Sequence, residues 1–344
     1  MKIPNGSVNI SVVIPVYNVK EYIKEAVDSI LHQSSPPYEV IIINDGSTDG
    51  SGVLLEALYG NIDRVKIVHT TNQGLGEARN EGSRYVTGEF TYYFDSDDIA
   101  ARTLLEEFTA AYQRNGDLDI FCFSAKSFFD TTTNTNQPLP FYSRVMNKDF
   151  SNGVVAFNSM SAHASFYPNA WMYVFRTSLL SEHDIRFKPI IHEDEEFTPR
   201  LFFKARRVSV SSQILFSRRI RHGSIMQSSR NEKNVIGYIE SIRALEQLRK
   251  TSTNKKAKWY LDERIHININ TISNIIKHEG ISLSDELSSQ FIEIKNRNKC
   301  RFIYLAKFNH RICRLLYQIQ FRLINYPSPK TRKHSGKETG TGYL

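Results

Sequence analysis

The sequence predicts an α/β protein, a mostly parallel sheet flanked by helices with a helical C-terminal extension. Three observations predict it. Short, continuously apolar runs alternate with helix-period segments over roughly the first 125 residues. The runs contain little of the in–out alternation of a half-solvated strand, so they belong to a sheet covered on both faces. From Asn231 to Asn325 the pattern becomes mostly helical.

The elements follow in order. Asn9 to Ile14 is a buried strand that halts at Pro15. Tyr22, Ile23, Ala26, Val27, Ile30 and Leu31 fall on one stripe of a helix, which Pro36 and Pro37 break. Val40 to Ile43 is the second core strand, and Asn44-Asp-Gly-Ser-Thr-Asp-Gly50 is a turn and helix cap. Val65 to Val68 is a third strand, and Gly74-Leu-Gly-Glu-Ala-Arg-Asn80 opens the next helix. Glu89 to Phe94 is the fourth strand, Ala101 to Gln113 a helix, and Asp119 to Phe123 a fifth strand. Asp130 to Asn152, rich in Thr, Asn and Pro, reads as a loop or hairpin. Residues 155–225 are mixed, with a helix start at Asp194 and strands near Val208 to Leu215. These elements divide into an α/β domain over 1–229, a helical extension over 230–326 and a disordered Pro/Ser/Lys/Gly-rich tail over 327–344.

Composition narrows the function classes. Three cysteines, Cys122, Cys300 and Cys313, are too few and too scattered for a disulfide framework or a zinc site, which implies a reducing compartment. Ile10 to Ile14 is too short for the apolar region of a signal peptide, and no apolar run approaches the ~20 residues of a spanning helix. A cytoplasmic protein is expected. The net charge of +8 is unevenly placed. Residues 230–344 carry 22 Lys and Arg against 10 Asp and Glu, and the rest of the chain carries 22 against 26. A basic half invites an anionic surface.

The chemistry concentrates at strand ends. Phe90-Thr-Tyr-Tyr-Phe-Asp95-Ser-Asp97-Asp98 is an aromatic strand that stops in three carboxylates. Clustered oxygens at a strand end suit a hard divalent cation, and Mg²⁺ commonly takes its remaining ligands from substrate phosphates. In open α/β sheets, ligands bind beyond the carboxyl ends of the strands. Pro15 to Asn18, Asp45 and Asp95 to Asp98 each follow a strand, so they should line one edge.

Five motifs occur in sequence: Pro15-Val-Tyr-Asn18, Asn44-Asp-Gly-Ser-Thr-Asp49, Gly74-Leu-Gly-Glu-Ala-Arg-Asn80, Asp95-Ser-Asp97 and Glu193-Asp194-x-x-Phe197. Together they resemble the family 2 glycosyltransferases of the GT-A (Rossmann-like) fold, in particular the bacterial enzymes of capsule, exopolysaccharide and lipopolysaccharide synthesis. The likeness is dense over residues 9–225. It implies inverting transfer from a nucleotide-sugar donor, UDP-linked by expectation, to a hydroxyl of a glycan or lipid-linked glycan acceptor, with Mg²⁺ or Mn²⁺ as cofactor.

The resemblance assigns roles, each with a plainer alternative. Asp45 receives the uracil or ribose; otherwise it is a helix cap. Tyr17, between Pro15 and Asn18, packs on the base; otherwise it is an ordinary edge residue. Arg79 stands where a dinucleotide fingerprint would have its third glycine, so it either holds the diphosphate, anchors the acidic edge or forms an exposed helical ion pair. Asp97 is the metal ligand, and Asp95 contacts the ribose or supports the metal. Asp98 has a second reading as cap of the helix near Ala101. Asp194 is the catalytic base with Glu193 in support; without the other motifs it would be an acidic first turn. Arg221 or His222 stabilises the departing diphosphate, and Trp171 is an acceptor contact or a core residue.

The C-terminal region adds a basic amphipathic stretch. Arg301, Lys307, Arg311 and Arg314 interleave with Phe302, Tyr304, Leu305, Phe308, Leu315 and Leu316. It reads as a helix lying on the inner face of a membrane, or as one packed on the catalytic domain. Two other classes compete with the transferase. One is a non-catalytic nucleotide-sugar or carbohydrate-binding protein on the same fold. The other is a nucleotidyltransferase, disfavoured because no Gly-rich, Lys/Arg-bearing phosphate loop follows the first strand. Nucleic acid is not expected as a partner, since no recognised binding module is present.

Overall fold

A computed structural model describes residues 8–130, 138–221 and 230–298. The chain clusters into two compact units, Met1–Ile292 and Glu293–Leu344. The architecture below belongs to the first, except that the last helix ends in residues 293–297 of the second.

The sheet begins with β1 (Ile10–Val16), β2 (Glu39–Asp45), β3 (Val65–Thr70) and β4 (Phe90–Tyr93). β1 pairs with β2 and β4, and β2 with β3, all in parallel. Val12, Val13, Ile14 and Val40 to Ile43 are fully buried. Each such side chain contributes about 1.5–3 kcal/mol relative to exposure, which makes these two strands the anchor of the core. Helices α1 (Ile23–Leu31), α2 (Ser51–Tyr59) and α3 (Leu75–Ser83) are the intervening crossovers. After β4 come the two-residue β5 (Ile99–Ala100), α4 (Leu104–Asn115) and β6 (Ile120–Phe129).

The order across the sheet is β3-β2-β1-β4-β9-β6-β10-β5. β9 (Tyr173–Arg176) lies between β4 and β6, antiparallel to both. The parallel run inferred from alternating elements is therefore interrupted by one reversed strand. Tyr173, Val174 and Phe175 are β-prone, but the run is short, and pairing on both edges fixes its direction and place in the sheet. Arg176 secures it, donating to Asp119 at 2.9 Å and Glu89 at 2.6 Å.

β10 (Val208–Ile220) runs parallel to β6 for its whole length. Its register slips between Val210 and Ile214 and again before Phe216. Such bulges bend a strand and re-aim its side chains, and here they precede three arginines. The segment expected as a loop or hairpin supplies two short strands among its described residues. β7 (Phe141–Tyr142) pairs with β6, and β8 (Lys148–Phe150) with β10.

The helices α5 (Gly153–Ala162), α6 (Ser178–Glu182) and α7 (Glu193–Phe202) complete the α/β part. α8 (Glu232–Thr251) and α9 (Lys255–Glu279) form an antiparallel pair packed on α7 and α5, and α10 (Asp285–Arg297) follows. The helical region beginning near residue 230 thus shares one compact unit with the sheet as far as Ile292. No described helix is long and apolar enough to cross a membrane. The basic stretch from Arg301 and the tail from Pro327 lie outside the described residues.

Candidate active site

Parallel pairing brings the ends of β1, β2 and β4 to one edge, with Val16 beside Asn44 and Val13 beside Tyr93. The loops that leave these ends are tied together. Asn18 takes a left-handed backbone (φ 51°), accepts the Thr48 N–H at 2.8 Å and donates its own N–H to Ser47 Oγ at 3.1 Å. Lys20 N–H reaches Asp49 at 2.9 Å, and Asp49 also accepts from the Ser51 hydroxyl at 2.6 Å. Burial opposes ionisation of Asp49, but these hydrogen bonds hold its carboxyl below the usual range. The expected halt at Pro15 is not observed: Pro15 is a buried residue of β1 beside Ile43 of β2, the strand runs on to Val16 beside Asn44, and Tyr17 stands half exposed at the start of the braced loop.

Asp45 is buried and turned onto the segment between β3 and α3. Its carboxylate accepts the N–H groups of Gln73 and Gly74, each at 2.9 Å, and the Thr70 hydroxyl at 3.2 Å. It caps no helix of its own. It fixes the entry of α3, which carries Arg79.

Arg79 is 2% exposed and lies between two acids. One nitrogen donates to Asp95 at 2.9 Å and another to Glu193 at 2.6 Å, while the guanidinium packs over Phe187. An exposed helical ion pair is ruled out. Burial works against its charge, yet Asp95, Glu193 and Asp194 together raise its proton affinity above that of a free guanidinium. Gly76 makes the approach of α3 possible, because a Cβ there would stand 2.9 Å from the Lys188 carbonyl and 3.3 Å from Glu193 Cγ. Arg79 therefore joins the acids after β4 to the start of α7, two features 98 positions apart in sequence.

The acid cluster has a second set of partners on β10. Arg221 Nε donates to Asp97 at 2.7 Å. The Arg219 N–H donates to Asp98 at 2.6 Å, and its guanidinium reaches the Asp97 carbonyl, Asp130 and Glu25. Asp98 is thus a tie to β10. It does not cap the following helix, which starts later, at Leu104 with Thr103 as its N-cap residue. Burial is the main reason Asp97 and Asp98 resist ionisation; neighbouring carboxylates add to it, and Arg221 opposes it at Asp97.

Asp194 stands in the first turn of α7, with its carboxylate accepting the Glu195 N–H at 2.9 Å. Burial first, then Glu193 and Glu195, push its pKa up to about 8, with Arg79 opposing. A carboxyl so raised is a strong proton acceptor once ionised, and it holds its own proton until the pH nears about 8. The preceding His192 has a left-handed backbone (φ 66°) and stacks on Tyr238 of α8 at 4.2 Å.

Trp171 is 4% exposed, stacked on Phe216 at 4.4 Å and met edge-on by Tyr142 at 5.2 Å. Its ring is a core side chain in this structure, the alternative already open for it. His222 lies outside the described residues. Arg219, Tyr142 and Tyr22, which packs against both Arg219 and Arg221, were not singled out as site residues. Arg219 carried a faint signal, standing two positions from Arg221 and so on the same strand face. Tyr142 carried none.

Among the described residues no three His, Cys, Asp or Glu side chains form a metal cage of their own. Mg²⁺ or Mn²⁺ shared with a ligand's phosphates needs only one or two carboxylates. Asp97 and Asp95 offer that donor type, so the residues fit such an ion.

The site is set on a mixed sheet with acids at its strand ends and a carboxylate-bearing helix tied to them through Arg79. Residues 11–166 match the family model "Glycosyl transferase family 2". The glycosyltransferase GlyG of Streptococcus pneumoniae is 30% identical over 227 residues, covering 64% of this chain and 73% of GlyG. The chain belongs to glycosyl transferase family 2, and it is a glycosyltransferase. Two solved structures share its fold. S. aureus TarS 1-349 in complex with UDP-GlcNAc superposes with a TM-score of 0.64 at 22% identity, over 84% of this chain and 80% of that one. The mannosyltransferase PcManGT of Pyrobaculum calidifontis in complex with GDP-Man and Mn²⁺ gives 0.52 at 15% identity, over 94% and 89%.

Proposed function

We propose that this chain transfers a sugar, with inversion, from a UDP-linked donor to a hydroxyl of a glycan or lipid-linked glycan acceptor in surface polysaccharide synthesis. The observation that supports the reading is the Arg79 bridge, which sets Asp95 at 2.9 Å and Glu193 at 2.6 Å on one guanidinium and so ties the acid cluster to the turn of α7 that carries Asp194.

In this reading the nucleoside rests on the face of Tyr17, with Pro15, Asn18 and Asp45 shaping the loops around it. UDP-GlcNAc in TarS supports a uridine donor. Asp97, with Asp95 beside it, holds Mg²⁺ or Mn²⁺, for which the Mn²⁺ of PcManGT is support. The ion, when bound, offsets the charge of the leaving diphosphate. Arg221 adds positive charge at the same place. Asp194 takes the acceptor hydroxyl's proton as that oxygen bonds to the anomeric carbon. The bond from that carbon to the phosphate oxygen breaks, the nucleoside diphosphate carries off the electron pair, and attack opposite to it inverts the centre. Glu193, fixed by Arg79, keeps α7 in register. The basic stretch from Arg301 to Leu316 is the part suited to an anionic membrane surface, where a lipid-linked acceptor would reside.

The test is Asp194→Asn. Calorimetry should show donor binding close to wild type, while transfer falls by roughly 10²–10⁴-fold, the usual contribution of a positioned base. Transfer at the wild-type rate would remove Asp194 from the chemistry.

A further inference from the structure

One cation of the site has no part in the reading above. The end of β10 and the residue after it deliver three arginines, Arg218, Arg219 and Arg221. Arg219 and Arg221 share a face of the strand and are bound to acids: Arg219 to Glu25 at 2.5 Å and Asp130 at 3.3 Å, Arg221 to Asp97 at 2.7 Å. Arg218 projects from the opposite face. Among the described residues it has no carboxylate at ion-pair distance, and it donates a hydrogen bond to a neutral group, the Tyr142 hydroxyl.

The surroundings of Arg218 are aromatic. Phe216, on the same strand face, stacks on Trp171 at 4.4 Å. Tyr142 meets Trp171 edge-on at 5.2 Å and Tyr167 at 5.4 Å. Tyr142 and Tyr167 are both half-buried, so neither is enclosed in the core. Aromatic faces beside a few fixed polar groups are a common way to hold a sugar-sized ligand. The pair also lies in the field of the reacting groups. Burial first and then Asp98 and Asp194, against Arg218, hold the proton on Tyr142. Burial opposes the charge of Arg218, while Tyr142, Asp98 and Asp95 favour it.

With no carboxylate at ion-pair distance among the described residues and one hydrogen bond to Tyr142, the half-buried Arg218 guanidinium has further donors of its five to offer a ligand. Its planar fork matches a carboxylate or phosphate through two parallel hydrogen bonds. The donor diphosphate, on the reading above, belongs to the other face of β10, beside Arg221 and Asp97. We propose that Arg218, Tyr142 and Tyr167 form an acceptor subsite that takes an anionic sugar, its phosphate or carboxylate seated on Arg218. The proposal rests on the glycosyltransferase reading.

The test is calorimetric titration of the full chain with glucose, glucose 6-phosphate and glucuronate, with and without UDP and Mn²⁺. Wild type should bind at least one anionic sugar about tenfold or more tightly than glucose, and Arg218→Gln should abolish that preference. Arg218→Lys, which keeps the charge and loses the fork, should fall between them. The phosphate and carboxylate arms tell which anion is meant. Equal binding of glucose and both anionic sugars by wild type, or an undiminished preference in Arg218→Gln, overturns the proposal. So does a loss of UDP affinity in Arg218→Gln without change in the sugars, since Arg218 would then serve the donor. Circular dichroism on each variant separates a lost fold from a lost contact. Failure of the transferase reading itself shows elsewhere, as wild-type protein that binds UDP-sugar yet transfers no sugar to any hydroxyl acceptor.

Discussion

Arg79 shows how one side chain unites a site. A buried cation between two carboxylates is costly to desolvate, and removing one partner leaves the others unpaired. Arg79→Gln should destabilise the protein by about 3–5 kcal/mol in urea unfolding, the usual cost of breaking a buried pair. A change under 1 kcal/mol would mean that Asp95 and Glu193 find other partners. Asp194 makes a second prediction at the same scale. Its folded pKa of about 8 lies above the ordinary carboxyl value. Between the two values the folded state holds a proton that the unfolded state releases, so this group's contribution to stability is present at low pH and lost as pH rises to about 8. Asp194→Asn carries no such proton. Its melting temperature relative to wild type should therefore be higher at pH 8.5 than at pH 4.5, by differential scanning calorimetry. The same ionisation should give kcat/KM an acidic limb, rising toward about pH 8.

At the scale of elements, α7 is held from behind by α8 and α9. Arg264 donates to Glu195 at 2.5 Å, Ser241 to the Glu195 carbonyl at 3.0 Å, and Asn268 to Ser241 at 3.1 Å. Gly237 lets α8 touch the chain just before His192, since a Cβ there would fall 1.8 Å from the Ile191 carbonyl oxygen. Gly237→Ala must push α8 away from that loop, at a cost of about 1–3 kcal/mol. It should also lower kcat while leaving the donor KM near wild type, because the loop leads directly into Asp194. A lost donor affinity with normal kcat would contradict the role given to α8. Sequence pattern was informative here only in part. β1 and β2 were legible because a fully buried strand needs an unbroken apolar run. β9 was not, because a β-prone run as short as Tyr173 to Phe175 does not say that it enters the sheet reversed between β4 and β6. α8 and α9 were visible as helices, but nothing in their period says which surface they cover.

At the scale of the whole molecule, donor binding should stabilise the chain by mass action, about 2.7 kcal/mol at a ligand concentration 100 times Kd. UDP-sugars with Mn²⁺ should raise the melting temperature in a thermal-shift screen, and Asp97→Ala should lose the Mn²⁺-dependent part. A shift without Mn²⁺ as large as with it would count against a metal at Asp97.

The acidic strand end at Asp95 to Asp98, the turn after Val40 to Ile43 and the carboxylate pair at Glu193 and Asp194 were all readable in one dimension. Each is a local sign: residue types that end a strand or open a helix also carry charge, and neighbours within a few positions suffice to see it. Which charges meet was not readable. Arg79 bonding Glu193, Arg221 bonding Asp97 and Arg218 facing Tyr142 depend on packing across the sheet between segments far apart in the chain. The burial that lifts Asp194 toward 8 arises the same way, from layers that exist only once the chain has closed on itself.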